Sequence, residues 1–437
     1  MWDFTKYLPP ELIEILLSYL TIKDLGFFSQ VCINWREASN KDSIWLHHCM
    51  KRGWMKYGIS GSILHEESST KPSTNVSGTS PYFELCVPFD TRLSPICKWK
   101  HVFLRMYHLT RNWDKGRFFV SPILRGHQQR VTAIDSNGRC LLSGSEDKTL
   151  IAWNMQTCTK IYTVQGHSDA VTAVKIRGSQ VITGCADSAV RVFQLDNGQP
   201  IFSLFGHNGS VDHIGVCDDY LITAGYDKTV RIWSFSEQKL LRTIHAHTDE
   251  IECMRCHGNM ILTGSWDKRM ILYHVENDNP IRVFEGHSEA VNCCQFDEYK
   301  VVSGSADSDL RIWETSSGYC THVLVGHTAE VYCLVYNKHV IASGGSDSTI
   351  RVWSHSGECQ YVMTGHLGVV RCLHINDERL VSGGDQKKIG IWNYRSGKLI
   401  NMVHRCPTLL HLMWVGDTKI VTASPESTGT ITIINFW

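Results

Sequence analysis

The chain has 437 residues, 43% of them hydrophobic, enough to bury a large core. Lys and Arg together number 43, as do Asp and Glu, and a formal charge of zero excludes long-range attraction to nucleic acid or an anionic membrane. Seventeen cysteines lie mostly in apolar strand runs as small hydrophobes, and no run nears the roughly eighteen apolar residues of a membrane span, so a soluble protein of the cytoplasm or nucleus is expected.

The first fifty residues carry a helical signal. Pro9 and Pro10 stand where prolines open a helix, and Leu12, Ile13, Leu16, Leu17 and Leu20 recur at helical spacing. Glu11 and Glu14 break the apolar run, so it does not read as a secretory signal. Thr21 with Asp24 predicts a cap for a second helix holding Leu25, Phe28, Val31 and Cys32. These helices are apolar over more than one face, and about fifty residues seldom bury enough surface alone. Such a piece needs the rest of the chain or a partner.

LPPELIEILLSYLTIKDLGFFSQVCINWREAS resembles an F-box, with Leu-Pro opening a helix, a spaced Leu/Ile stripe, then Val-Cys and Trp. The resemblance implies docking on the Skp-type adaptor of a cullin–RING ubiquitin ligase. Carried over by position, the contacts would be Leu8, Pro9, Leu12, Ile15, Leu16, Leu20, Leu25, Val31, Cys32 and Trp35. The other reading is an N-terminal helical cap on the rest of the fold. Because the motif begins almost at Met1, the N-terminal dimerisation segment of some relatives is not expected, and one copy per complex is.

The F-box is assigned to residues 1–50 and a linker to 51–98, of which 59–81 is Ser/Thr/Gly-rich and expected to be flexible. Asn75-Val76-Ser77 matches a glycosylation acceptor that an intracellular chain would not use. Trp99, Val102, Phe103, Met106, Leu109 and Trp113 then repeat every three or four residues, which predicts an amphipathic helix ending near Asn112 within a connecting segment, 99–117. It resembles the segment that joins F-box to propeller in F-box/WD-repeat proteins. A helix merely packed under the propeller would make the same contacts.

From 118 to 437 the chain repeats. His127, His167, His207, His247, His287, His327 and His366 stand 40, 40, 40, 40, 40 and 39 residues apart. A Ser or Thr follows each at the sixteenth position, an Asp at the twentieth in six, and an aromatic at the twenty-sixth in all seven, from Trp153 to Trp392. A forty-residue period opening on Gly-His and closing on Ile-Trp predicts a mainly β fold, a β-propeller of four-stranded blades, and resembles the WD-repeat proteins. Residues 118–124 precede the first Gly-His, and 409–437 supply three strands without a fourth. Pairing these leftovers closes the ring at eight blades, with Ile434 in the Trp place; seven blades is the alternative.

Ser, His and Asp at fixed spacing suggest a hydrolase triad, but seven copies fit a repeated structural network, and a catalyst needs one exposed nucleophile beside an oxyanion hole. In the resembling propellers, His, Asp, Ser/Thr and Trp form one buried hydrogen-bond network per blade. Phe193 and Tyr273 cannot supply an indole N–H, Gln386 replaces the seventh Asp, and Ala246 replaces a loop Gly, so those blades are expected to be looser. Cys253-Met-Arg-Cys256-His257 matches the haem spacing, yet on a strand its two cysteines point to opposite faces. With no zinc-spaced second Cys pair, phosphate-cradling Gly loop or H-E-x-x-H, no catalytic residue, metal or cofactor is assigned.

In the resembling family, partners bind the end of the ring carrying the Gly-His loops and Asp turns. The residues pointing there include Arg130, Asp212, Tyr226, Glu250, Glu252, Trp266, Asn292, Tyr332 and Arg371, with Thr132, Glu146, Thr172 and Glu330 beside them. Relatives that recognise phosphorylated segments place several arginines here. In this chain the third and fourth blades offer carboxylates and aromatics, which predicts a target segment that is cationic or at least unphosphorylated there. Arg130 and Arg371 are left to hold one acidic group, and a solvated rim of mixed charge is the other reading.

Overall fold

The structure is a computed structural model that describes residues 5, 7–59, 97–376, 378–385, 388–404, 412–423 and 429–437. The chain divides into two compact units, with the boundary between Trp113 and Asp114.

The first unit is helical. Pro9 caps α1 (Pro10–Ser18), and the expected capping box opens α2 (Ile22–Val31), where Asp24 N donates to Thr21 Oγ1 and Thr21 N to Asp24 Oδ2, each at 3.3 Å. Three further helices follow, α3 (Ile33–Ser39), α4 (Asp42–Lys51) and α5 (Met55–Ile59), then α6 (Lys98–Asp114) as the apolar period predicted. Phe103 of α6 is fully buried between Trp45 and Trp54, with ring centroids 5.2 Å away on each side. Asp42 accepts the Trp99 N–H at 2.9 Å and Trp45 Nε1 donates to Ser39 O at 2.6 Å. The helical unit therefore does not stop at residue 50, because Trp54 and Tyr57 are buried side chains of what the sequence assigned to linker. The flexible stretch and the Asn75 acceptor lie outside the described residues. Among the described residues, no helix is long and apolar enough to cross a membrane.

The second unit holds eight antiparallel sheets. Seven are consecutive four-stranded blades spanning 131–164, 171–204, 211–245, 251–284, 291–324, 331–363 and 370–404. The eighth is Leu412–Val415, Lys419–Ala423 and Thr430–Asn435, and its fourth strand comes from the start of the unit. That strand is split: Phe119–Val120 pairs with Asn435 and Ile434, Leu124–Arg125 with Ile431 and Thr430. Pro122 sits in the gap and has no N–H to donate. Ser121 holds the gap together, donating its N–H to Ile433 O at 2.9 Å and accepting from Asn435 Nδ2 at 2.6 Å. Leu124, Ile431 and Ile433 pack with Val131, Ile151 and Trp153 in one core between the eighth and first blades, and Ile434 is buried where other blades have Trp. Pairing the start of this unit with its end gives the eighth blade a fourth strand, which covers the outer edge of Thr430–Asn435.

Within each blade the spaced residues meet. In the fifth, His287 contacts Asp307 Oδ2 through Nδ1 and Ser303 Oγ through Nε2, both at 2.8 Å, and Trp313 Nε1 donates to Ser303 Oγ at 2.9 Å. The same triple contact recurs in the first, third and sixth blades. Asp307 also accepts the Ser288 and Asp309 backbone N–H groups. Burial alone would raise its pKa, but the His287 bond and these N–H groups hold it at about 2. This tie between Gly-His loop and Asp turn fixes the residues on that end of the ring.

The fourth blade keeps the His247 bonds to Asp267 and Thr263 but has Tyr273 in the Trp place, as expected. In the seventh, His366 keeps Ser382 and Ser382 keeps Trp392, while His366 Nδ1 has no partner among the described residues; Gln386 lies outside them. The loop glycines explain Ala246. A methyl on Gly126, Gly206, Gly286, Gly326 or Gly365 would lie 2.8, 3.2, 3.2, 2.9 or 3.4 Å from Cη2 of that blade's Trp. At Gly166, in the blade with Phe193, nothing stands within 4 Å. The indole is one of the groups that crowd this position, beside the arginine side chains 2.7, 2.9 and 2.7 Å from a methyl on Gly206, Gly286 and Gly326. Gly166, Gly206, Gly286 and Gly365 also have positive φ, and Ala246 stands in a blade without an indole.

The haem-spaced cysteines diverge as predicted. Cys253 Sγ lies 3.1 Å from Cys294 Sγ in the seam between the fourth and fifth blades, while Cys256 packs against the core of the third and fourth.

Candidate docking surfaces

Both faces of α1 are apolar, and the core takes only one. At 100° per residue, Ile13 and Leu17 turn inward and are buried, while Leu12, Ile15, Leu16 and Tyr19 turn outward, from 47 to 84% exposed. In α2, Leu25 and Phe28 are inside, and Phe27 and Val31 are outside at 70 and 49%. Ile33, at the start of α3, is exposed as well. Exposed aliphatic and aromatic side chains on neighbouring helices are the composition of a protein-docking surface rather than of a solvated face.

Of the ten positions taken from the F-box pattern, Leu12, Ile15, Leu16 and Val31 lie on this surface, with Pro9 and Cys32 also exposed. Leu8 and Leu20 are half-buried. One position is corrected: Leu25 is 1% exposed and belongs to the core, while Trp35, half-buried like Leu8 and Leu20, is stacked on Phe28 with centroids 4.2 Å apart. Tyr19, Phe27 and Ile33, which the pattern did not single out, are exposed on the same helical unit; Phe27 lies two residues beyond Leu25 and so on the opposite side of its helix.

On the propeller, the residue before each Asp turn is held by a backbone bond to its own Gly-His loop, Tyr226 N to Ser210 O and Trp266 N to Glu250 O, each at 3.0 Å. Tyr226 and Trp266 therefore occupy equivalent places on consecutive blades, 59 and 49% exposed. Trp266 Nε1 donates to Glu252 Oε2 at 2.9 Å, and Asp212 accepts from Ser210 Oγ at 2.7 Å. Desolvation raises the Glu252 pKa; the indole bond opposes it, and the carboxylates of Glu250 and Asp212 push it up further. Asp212, Glu250 and Glu252 thus share one field.

The remaining rim residues are not free. Asn292 Nδ2 donates to Val331 O at 3.1 Å, and Thr132 and Thr172 donate to Val171 O and Val211 O. These side chains stitch one blade to the next. Arg371 is ion-paired with Asp385 at 3.0 Å and lies 5.3 Å over the half-buried Tyr332 ring, whose hydroxyl pKa is raised chiefly by Glu330. Arg130 faces Glu146 at 3.8 Å. The two arginines expected to hold an acidic group already have carboxylates.

The family model described as F-box-like matches residues 5–51, and the WD domain, G-beta repeat model matches seven stretches, 120–154, 158–194, 198–234, 238–274, 278–314, 318–354 and 357–393, together more than half of the chain. The chain is 30% identical over 154 residues to F-box/WD repeat-containing protein 7 of Drosophila melanogaster, covering 35% of this chain and 10% of that protein. It is 27% identical over 164 residues to an F-box protein of Saccharomyces cerevisiae, covering 36 and 23%. A third relative, described as a probable E3 ubiquitin ligase complex SCF subunit sconB, of Arthroderma benhamiae, is 28% identical over 165 residues, covering 37 and 25%. The chain thus spans a quarter or less of these relatives' lengths. A crystal structure of the computationally designed Ika8 protein superposes with a TM-score of 0.67 at 25% identity, covering 71% of this chain and 98% of that one.

Proposed function

From the premise that this chain belongs to the WD domain, G-beta repeat family and carries an F-box-like domain, we propose that it is the substrate-recognition subunit of an SCF-type ubiquitin ligase. The helical unit docks on a Skp-type adaptor, and through it on the cullin and RING subunits, while the propeller end bearing the Asp turns receives the target protein. The observation that carries this reading is the outward face of α1 and α2, where Leu12, Ile15, Leu16, Phe27 and Val31 remain exposed although their helices already bury Ile13, Leu17, Leu25 and Phe28. The relatives named as F-box or SCF subunits support it. The chain performs no bond chemistry in this role. It holds target and conjugating machinery together, so that ubiquitin transfer occurs at high effective concentration.

Recovery of the full chain from cells, with detection of the Skp-type adaptor and cullin, tests the proposal. Both should co-purify, and both should be lost with Leu8→Ala and Pro9→Ala combined. Adaptor retained by that double variant, or absent from the wild type, would favour a scaffold whose helices serve only the chain itself.

A further inference from the structure

The propeller rim carries a feature that distinguishes among targets. Tyr226 and Trp266 present exposed rings from consecutive blades at one end of the ring, and Asp212, Glu250 and Glu252 border them. The hydrogen bond from its indole to Glu252 fixes the Trp266 ring while half of the side chain stays in water. Each residue is about half exposed, and an aromatic face bordered by carboxylates attracts a cation through both the ring quadrupole and direct charge.

The lysines of the two turns are already engaged, while Arg255, three residues beyond Glu252 on the inner strand, is exposed. Lys228 donates to Thr248 O at 2.8 Å and faces Asp249 at 3.5 Å, and Lys268 faces Glu289 at 3.7 Å. Across the rim, Arg130 and Arg371 are paired with Glu146 and Asp385. A phosphate arriving at Arg130 or Arg371 would compete with Glu146 or Asp385, and over the third and fourth blades it would meet the carboxylates of Asp212, Glu250 and Glu252. A Lys or Arg side chain would meet three carboxylates and two open rings.

We propose that the segment recognised by the third and fourth blades is a basic peptide, with a Lys or Arg seated between Trp266 and Tyr226 and paired with Glu252 and its neighbouring carboxylates. This rests on the propeller being the target-binding part of the chain. It adds the chemical class of the target and the reason a phosphorylated segment is disfavoured there.

The experiment titrates fluorescent Gly-Ser peptides bearing several Arg, several phosphoserines or neither into the full chain, read by anisotropy. The Arg peptide should bind most tightly. Its affinity should fall about threefold or more in each of Trp266→Ala, Tyr226→Ala and Glu252→Gln, and stay unchanged in Lys338→Ala, an exposed loop position of the sixth blade. A melting curve on each variant shows that the propeller remains folded, and Tyr226→Ala, which removes only an exposed ring, serves where Trp266→Ala does not fold. Tighter binding of the phosphoserine peptide overturns the proposal, as does an Arg peptide that binds no better than the neutral one or ignores all three substitutions. Adaptor co-purification measured on the same samples separates the two readings: its loss would remove the ligase account and leave the basic-peptide result standing.

Discussion

Asp187 gives both carboxylate oxygens to Arg191, at 3.0 and 2.8 Å, and His167 Nδ1, whose counterparts in five other blades face an Asp, has no partner among the described residues. A hydroxyl at the second residue after the Asp is not what decides this. Thr149, Thr229 and Thr349 donate to the turn Asp of their blades at 2.6, 2.8 and 2.8 Å, but Arg269 and Asp309 stand there in the fourth and fifth blades, which keep the His contact. The two-pronged hold of Arg191 sets the second blade apart. Burial, with the Arg191 charge added, pushes His167 down to about 4. Arg191→Ala should release Asp187 towards His167 and raise that pKa. NMR titration of the imidazole reads the shift, and an unchanged value would show that Arg191 is not what holds the carboxylate away.

The loop glycines and the blade aromatics should behave as pairs. Phe193→Trp has space beside Gly166 and restores an indole donor to Thr183, so it should stabilise the propeller by about 1 kcal/mol. Tyr273→Trp meets Ala246 and should cost about 1–3 kcal/mol. Ala246→Gly added to it should recover most of that loss. Chemical denaturation of the double-mutant cycle checks the coupling, which independent sites would not show.

Two aspartates two residues apart should differ sharply. Asp307 accepts from His287 and from two backbone N–H groups, so Asp307→Ala strands buried donors and should cost about 2–3 kcal/mol. Asp309 offers Asp307 only its backbone N–H, which alanine keeps, so Asp309→Ala should stay within about 0.5 kcal/mol. Equal melting shifts would count against the network as a source of stability.

Acid should weaken the propeller in two stages. His167 and His366 are held down at about 4, chiefly by burial, and Arg191 and Lys388 respectively add to it. Between their ordinary pKa of about 6.5 and that value, the unfolded chain binds more protons, so stability falls as pH drops through this window. Burial lowers His213, His355 and His374 in the same direction. Asp267 and Asp307, held at about 2, keep their stabilisation above the ordinary carboxylate range and lose it as pH falls towards 2. Melting temperature measured from pH 7 to 3 should therefore begin to fall well above the carboxylate range, and His366→Asn should flatten the upper stage. A plateau down to pH 4 would contradict the burial of these imidazoles.

The blade plan was legible because four chemically distinct positions keep register over a forty-residue period, and each distinct residue type marks one place in the blade. The eighth blade was legible only by elimination, from leftover strands at both ends, and the split of its outer strand at Pro122 was not read. Partner choice between turns was hidden. Nothing local to Arg130 or Arg371 announces Glu146 or Asp385, which lie 16 and 14 residues away and approach only when the turn folds back. Nor does a motif distinguish Leu25 from Phe27; the direction of α2 relative to its neighbours decides which is core and which is surface. The same holds for Trp54 and Tyr57, which read as linker until Phe103 supplies the ring contact that Trp54 packs against.

The most direct measurement is calorimetric titration of purified Skp-type adaptor into the full chain and into a variant with Leu12→Asp and Ile15→Asp, two exposed positions whose change leaves the core of α1 intact. The account predicts binding with a negative heat-capacity change by the wild type, as for burial of apolar surface, and no detectable heat with the variant at an unchanged melting temperature. Equal binding by both chains, or none by the wild type, would contradict it.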